Sequence, residues 1–409
     1  MKFLLTTVIL CIFFVANAAD TTKVLFIGNS ITYFNDMPQT FEAIANERGD
    51  LTKVTMYAPG GTGFVHHVEN PTVYNYFREG DWDYVVLQPG SNESPGYSFS
   101  IAETLGRGRQ LIDSIDTYSP CAKVLFYEIS YGVWGATEEN LATYNETMGL
   151  IRTNLTLLAD STESFFAPAG ECFRTAWNDD HTTMLWGGTG DIHPNSKGSY
   201  IAACSFYSSI FQKPSLGSDY HATLTEDEAL TYQELADTMV LEYLSDWRIN
   251  TYNSHSAYDY SFSNDTLYYT DESVNIDSLL WDFGDGNSSV DESGFHFYTE
   301  GGDYIVSLIT YTNGCSDTLT FELGVLSVFE NEKINQFTVY PNPANDWLKV
   351  NGMTNAYSYV IEVYNAQGKQ LLRSNSNEIN VSNLPDGVYY LRILNQEKQV
   401  SETVRWIKL

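Results

Sequence analysis

Between residues 23 and 247, short β-rich runs alternate with longer stretches of helical periodicity, and no other feature restricts the fold of this chain as much. The strand candidates are 23–27, 53–57, 84–87, 123–127 and 164–167. Helical candidates lie near 38–48, 101–118, 138–159 and 195–212, the last carrying Tyr200, Ala203, Cys204 and Tyr207 along one face. A further helix is expected from Glu226 to about residue 244, because Thr225 and Glu228 match a capping box. Strands joined by helices predict βα units, and so a three-layer α/β/α, doubly wound parallel sheet over residues 20–248.

At 409 residues the chain is too long for that domain alone. Residues 251–326 are rich in Tyr, Ser, Thr, Asn and Asp, with alternating apolar residues and no helical period, which predicts an all-β module. Its landmark is Trp281-Asp282-Phe283-Gly284-Asp285-Gly286, where aromatics enter a strand-to-turn transition; Asp282 and Asp285 suit either a turn or a calcium loop. Together with Phe297-Tyr298 and Gly302-Asp303-Tyr304-Ile305-Val306, this motif resembles a PKD domain, an immunoglobulin-like sandwich. From residue 336 to 409, Pro, Asn and Gly turns again separate short strands, predicting a second small β-sandwich. The motifs Val339-Tyr340-Pro341-Asn342-Pro343-Ala344, Val363-Tyr364-Asn365-Ala366-Gln367-Gly368-Lys369 and Leu384-Pro385-Asp386-Gly387-Val388-Tyr389-Tyr390-Leu391 follow in the order of a type IX secretion sorting domain. That resemblance implies handling by the type IX secretion machinery, then release or surface attachment.

Export is also expected from the start of the chain. Lys2 precedes an apolar run over 3–15, and Ala16-Asn17-Ala18 has the small-x-small pattern of a cleavage site, so residues 1–18 read as a signal peptide. No later stretch has the length and apolarity of a transmembrane segment. Against 21 basic residues stand 52 acidic ones, a formal charge of −31, which repels phosphate backbones and excludes nucleic acid as a partner. Cys121, Cys172, Cys204 and Cys315 lie downstream of the signal; in an oxidising compartment a disulfide among the first three is an option, and their spacing does not suggest a metal.

The chemistry is expected where strands end. Gly28-Asn29-Ser30-Ile31-Thr32 follows the first strand, at the edge where open α/β sheets bind ligands. Asn29 and Ser30 also suit a helix cap. Three more blocks follow: Pro59-Gly60-Gly61-Thr62-Gly63, Gln88-Pro89-Gly90-Ser91-Asn92-Glu93 and Gly190-Asp191-Ile192-His193-Pro194. In this order the four blocks resemble the SGNH (GDSL-like) hydrolase superfamily. The resemblance implies Ser30 as nucleophile, His193 as base and Asp191 as its orienting acid. It also implies an oxyanion hole from the N–H groups of Ser30 and Gly60 and the amide of Asn92, with Gly61 and Gln88 as alternates. Two departures stand out. Glu93 occupies the place usually held by Asp, and Asp191 lies two residues before His193 where the family has three, so Asp179, Asp180 or a backbone carbonyl are other candidates to orient the ring.

A serine hydroxyl is a weak nucleophile without an adjacent base and donors for the oxyanion, so the resemblance makes chemical sense only if these blocks converge. Tyr131, Trp134 and Trp177 fall in or near loops at the same edge and suit stacking on sugar rings or packing. His66 and His67 are adjacent and cannot form the i, i+4 face of a helical metal site, so neither metal nor cofactor is expected. The reading is a secreted serine esterase acting on O-acyl, above all O-acetyl, groups of carbohydrates or another small ester. Its rival is a non-catalytic surface protein that binds glycans.

Overall fold

A computed structural model describes residues 21–325, 337–353, 359–395 and 400–409. The expected signal peptide lies outside the described residues. The chain divides into one unit ending at Asn253 and a second beginning at Ser254.

The first unit is built on five parallel strands, β1 (Thr22–Ile27), β2 (Thr52–Tyr57), β3 (Tyr84–Leu87), β4 (Lys123–Tyr127) and β5 (Phe165–Ala167), in the order β2-β1-β3-β4-β5. Val24, Leu25, Phe26, Val85, Val86, Leu125, Phe126 and Phe166 are buried, because helices cover both faces of a parallel sheet. These helices are α1 (Ser30–Tyr33), α2 (Met37–Glu47), α3 (Phe64–His67), α4 (Pro71–Glu79), α5 (Ile101–Tyr118), α6 (Glu138–Thr162), α7 (Ala169–Asp179), α8 (Ser196–Phe211) and α9 (Glu226–Leu241). The chain winds from β1 to β2 on one side, then returns past β1 to β3 on the other. This reversal opens a crevice beyond the carboxyl ends of the strands.

Several elements depart from the sequence reading. α1, α3, α4 and α7 lie outside the expected helices, and the first three, of 4, 4 and 9 residues, are too short to show a clear helical period. α8 is buried from Gly198 to Ile210 on all sides rather than along one face, since it is enclosed by α2, α7, α9 and the sheet. Its serines let it turn inward: Ser208 donates to the Asp237 carboxylate (2.6 Å) and Ser199 to the Phe34 carbonyl (2.9 Å). No disulfide joins Cys121, Cys172 and Cys204 to one another, because Cys172 and Cys204 are free thiols enclosed in this core.

Among its described residues the second unit holds two pairs of antiparallel sheets. In the first pair the strands are 258–263, 266–271 and 293–297 against 278–282, 288–289, 302–312 and 315–325, around a core of Trp281, Leu267, Tyr269, Val306 and Leu308. Asp282 and Asp285 accept the backbone N–H of Gly284 (2.9 Å) and Asn287 (3.0 Å), and Gly284 and Gly286 have positive φ; these acids build a turn. The second pair surrounds Leu348, Val350, Ile361, Val363, Leu391 and Trp406.

Candidate active site

The site begins with the cap of α1. Asn29 is extended, and its side-chain oxygen accepts the Ile31 N–H at 2.9 Å, while its backbone carbonyl accepts from Thr32 and Tyr33. The Ser30 N–H is the first-turn donor left without a partner among the described residues. Beneath this turn, Gln88 at the end of β3 accepts the Asn29 N–H (3.0 Å) and the Thr32 hydroxyl (2.7 Å) with one oxygen. A Cβ on Gly28 would overlap Thr32 Oγ1 and approach that same oxygen, so the strand-to-helix turn requires glycine there.

Ser30 and His193 are 163 residues apart, yet Ser30 Oγ lies 2.9 Å from His193 Nε2. On the other side of the ring, His193 Nδ1 lies 2.7 Å from Asp191 Oδ1. That oxygen also accepts the backbone N–H of His193 at 2.9 Å. The two-residue spacing thus closes an Asx turn, and one carboxylate oxygen holds both the backbone and the ring. These hydrogen bonds, that from the His193 N–H first, hold the Asp191 carboxyl below the usual carboxylate range. The loop is shaped by Gly187, where a Cβ would overlap Asp191 Oδ2, and by Gly190 at φ 80°. Asp180 is occupied elsewhere, by the hydroxyls of Thr182 and Thr183.

Two contacts around His193, and the turn that sets them, lie beyond the sequence reading. Phe34 stacks on the imidazole, with ring centroids 4.3 Å apart and planes at 22°. Asn35 and Asp36 both adopt the left-handed conformation, which turns the chain sharply after Phe34. Asn35 then donates to the Pro194 carbonyl at 2.9 Å, fastening the serine segment to the histidine loop. Only the Asn-Asp pair, tolerant of positive φ, hinted at this device.

The glycine block packs beside the serine. Gly60 is exposed, and a Cβ there would stand 3.3 Å from the Tyr33 hydroxyl. Gly61, at φ 73°, is also exposed. Gly63 is a packing glycine, since a Cβ would come within 2.7 Å of Gly90 Cα. Glu93 joins the two loops by accepting the N–H groups of Phe64 (2.8 Å) and Gly90 (3.1 Å) and pairing with Arg107 (3.2 Å). Asn92 is exposed on that turn, and its side-chain oxygen accepts the Tyr131 hydroxyl at 2.9 Å.

Two expectations need correction. Gln88 has no exposed surface, and its amide is engaged by Asn29, Thr32 and the Pro89 carbonyl; it supports the serine turn from below instead of facing the crevice. Trp177 is only 2% exposed, with its indole packed against Trp186 and His181, so it belongs to the core and not to a sugar platform. Trp134, by contrast, is 61% exposed and lies against Gly190 of the histidine loop.

His67 is buried and supports the serine turn through Nε2, 3.1 Å from the Gly28 carbonyl, while Nδ1 has no partner among the described residues. Burial lowers its pKa to about 4, reinforced by the nearby His66. The unfolded chain therefore binds a proton near pH 6.5 that the folded chain refuses until about pH 4. Stability should be full above pH 6.5 and fall on acidification towards 4, with a loss on the order of 3 kcal/mol from this group. Urea titrations at pH 7.5 and 4.5 should show that loss in the parent, and a smaller one in His67→Gln. Among the described residues no cluster of His, Cys, Asp and Glu is arranged to hold a metal.

Comparison with known families adds the modules. Residues 252–325 match the PKD domain, and residues 338–407 match the secretion system C-terminal sorting domain. The sorting-domain match indicates export by type IX secretion, to the cell surface or beyond. Among the described residues no helix is long and apolar enough to cross a membrane. No curated protein matches the chain. Among solved structures, the chain is similar to a DUF4886 family protein from Bacteroides uniformis, with 17% identity and a TM-score of 0.43 over 54% of this chain and 95% of that one. It is also similar to a protein from Slackia heliotrinireducens assigned to the SGNH hydrolases, with 20% identity and a TM-score of 0.39 over 46% and 98%. A third similar structure is an acetylxylan esterase from Geobacillus stearothermophilus, with 16% identity and a TM-score of 0.35 over 45% and 92%.

Proposed function

We propose that residues 20–248, within the first unit, form a serine esterase of SGNH type that removes O-acetyl groups from carbohydrates. The observation that supports this reading is the continuous line of hydrogen bonds from Ser30 Oγ through the His193 ring to Asp191, at 2.9 and 2.7 Å, at the carboxyl edge of a parallel sheet. Ser30 Oγ attacks the acyl carbon while His193 Nε2 takes its proton. The resulting oxyanion is met by the N–H groups of Ser30 and Gly60 and by the amide of Asn92. Collapse expels the sugar alkoxide, which leaves as an alcohol with the proton returned by His193. Water, deprotonated by the same base, then releases acetate and restores Ser30. Asp191 stabilises the imidazolium formed in each half-reaction and holds the ring tautomer. No cofactor enters this scheme.

A carbohydrate substrate is supported by Trp134, an exposed indole against the loop that carries His193. The backbone of Trp134 is steadied by Asn140, which donates to its carbonyl at 2.9 Å. Trp134→Ala should raise KM for acetylated oligosaccharides roughly fivefold and leave kcat/KM for an aryl acetate within about twofold, the cost of one lost stacking contact. Equal effects on both substrates would remove Trp134 from the sugar subsite.

The test of the function is acetate release by the protein lacking residues 1–18, from an aryl acetate and from a panel of acetylated polysaccharides. Release that requires Ser30 and favours polymer supports the reading. Tight glycan binding that survives Ser30→Ala, with no ester hydrolysed, would instead favour a surface adhesion protein.

A further inference from the structure

The hydrogen bond between Tyr131 and Asn92 ties the loop after β4 to the turn after β3, joining segments 39 residues apart. An asparagine amide on an exposed turn is free to rotate by half a turn, and the two orientations are opposite in chemistry: one offers N–H donors to an oxyanion, the other a repelling carbonyl. In this structure the Tyr131 hydroxyl occupies the amide oxygen at 2.9 Å, while Nδ2 has no partner among the described residues. The backbone of Asn92 is fixed as well, since its carbonyl accepts the N–H groups of Tyr97 (2.9 Å) and Ser98 (3.0 Å).

Tyr131 is itself held on several sides. Its N–H points to Met148 Sδ at 3.3 Å, and its ring meets Tyr97 edge to face at 6.1 Å. Tyr97 is anchored in turn by a 2.8 Å hydrogen bond between its hydroxyl and Thr147. The next residue, Gly132, packs so closely that a Cβ would lie 2.7 Å from the Asp191 carbonyl oxygen. Tyr131 therefore belongs to one frame with both the histidine loop and the Asn92 turn. Desolvation and the neighbouring Tyr97 raise the pKa of its hydroxyl, so at neutral pH it keeps the proton it donates.

We infer that Tyr131 is a positioning residue that locks the Asn92 amide with its N–H groups presented to the oxyanion, rather than a platform for substrate. The inference rests on the proposed role of Asn92 as an oxyanion donor. Donation to the amide oxygen also polarises the amide, which strengthens the donors on its nitrogen. Since the amide meets charge that develops only in the transition state, losing its orientation should lower kcat and leave KM nearly unchanged.

A double-mutant cycle with an aryl acetate tests this. Tyr131→Phe keeps the ring, the Tyr97 contact and the backbone anchor, and removes only the hydroxyl. It should lower kcat about tenfold, the worth of one hydrogen bond, with KM within about twofold. Asn92→Ala should lower kcat about 10²-fold or more, and adding Tyr131→Phe to it should cost nothing further. A Tyr131→Phe loss that persists in full on the Asn92→Ala background would overturn the inference while sparing the Asn92 assignment. A rise in KM in both backgrounds would likewise overturn it and mark Tyr131 as a substrate contact. Full activity of Asn92→Ala would end the Asn92 assignment and this inference with it, leaving the Ser30–His193 chemistry to stand on its own variants. Near-ultraviolet circular dichroism of each variant reports whether the crevice has kept its packing.

Discussion

Ser30→Ala is expected to lower turnover of an aryl acetate by at least about 10⁴-fold while leaving the fold unchanged. The size follows from the arrangement around the hydroxyl. Ser30 Oγ has His193 Nε2 at 2.9 Å, so the base that would activate it has no other group to activate once the oxygen is removed. What would survive is the proposed oxyanion hole and the binding surface acting on a bound water, which in comparable triads leaves a residual acceleration of about 10³–10⁴ over solution. The fold should be indifferent. The cap of α1 is made by the side chain of Asn29 and the underpinning by Gln88, neither of which uses the Ser30 hydroxyl. Burst kinetics and thermal melting of the same preparation check both halves: activity lost with an unchanged melting temperature is the expected pair. Retained turnover would refute the nucleophile, and a lowered melting temperature would mean that the hydroxyl has a structural part.

Parallel strands are the most legible part of this chain for a physical reason. Segments such as Val24-Leu25-Phe26-Ile27 and Tyr84-Val85-Val86-Leu87 must be apolar on both faces, so their pattern declares itself over four or five residues. Short helices leave no such trace, and α1 and α3, each a single turn, are set by the cap at Asn29 and by the packing of Gly63 against Gly90. The site divides the same way. That a serine and a histidine lie at strand ends is written locally, but the convergence of groups 163 residues apart depends on the strand order, with β1 between β2 and β3.

Alternatives of equal local merit were separated by burial alone. Gln88 and Asn92 are both amides at the end of one strand. Gln88 lies a single residue beyond the last buried position of β3 and stays in the protein, whereas Asn92 has passed Pro89 and Gly90 into the turn. Trp134 and Trp177 are likewise indistinguishable by type. Trp177 is carried by α7 and turned by its helical phase towards Trp186, whereas Trp134 stands on an irregular segment after β4, largely exposed and against Gly190. The roles of Phe34 and Asn35 depend on two successive left-handed residues that are neither glycine, a conformation that composition does not announce.

The acid beside His193 gives the second large effect, and the shortened spacing shapes it in a particular way. Because Asp191 Oδ1 accepts both the His193 N–H (2.9 Å) and the ring Nδ1 (2.7 Å), removal of the whole side chain disturbs the loop and the ring together. Asp191→Ala should therefore lower kcat about 10³–10⁴-fold. Asp191→Asn is the more informative variant. An amide oxygen can still accept the backbone N–H and preserve the Asx turn, and a ring N–H can share it, so orientation is largely kept. What disappears is the negative charge that, on the proposed mechanism, would stabilise imidazolium when Ser30 gives up its proton. The asparagine variant should accordingly fall between the parent and Asp191→Ala, with KM near the parent value. The hydrogen bonds from His193 hold the Asp191 carboxyl below its ordinary range, so it is ionised across the working range and the charge is there to be lost. Comparison of kcat for the two variants separates charge from orientation. An Asp191→Asn variant as active as the parent would mean that the carboxylate acts on the loop alone, and that Ser30 and His193 work as a dyad.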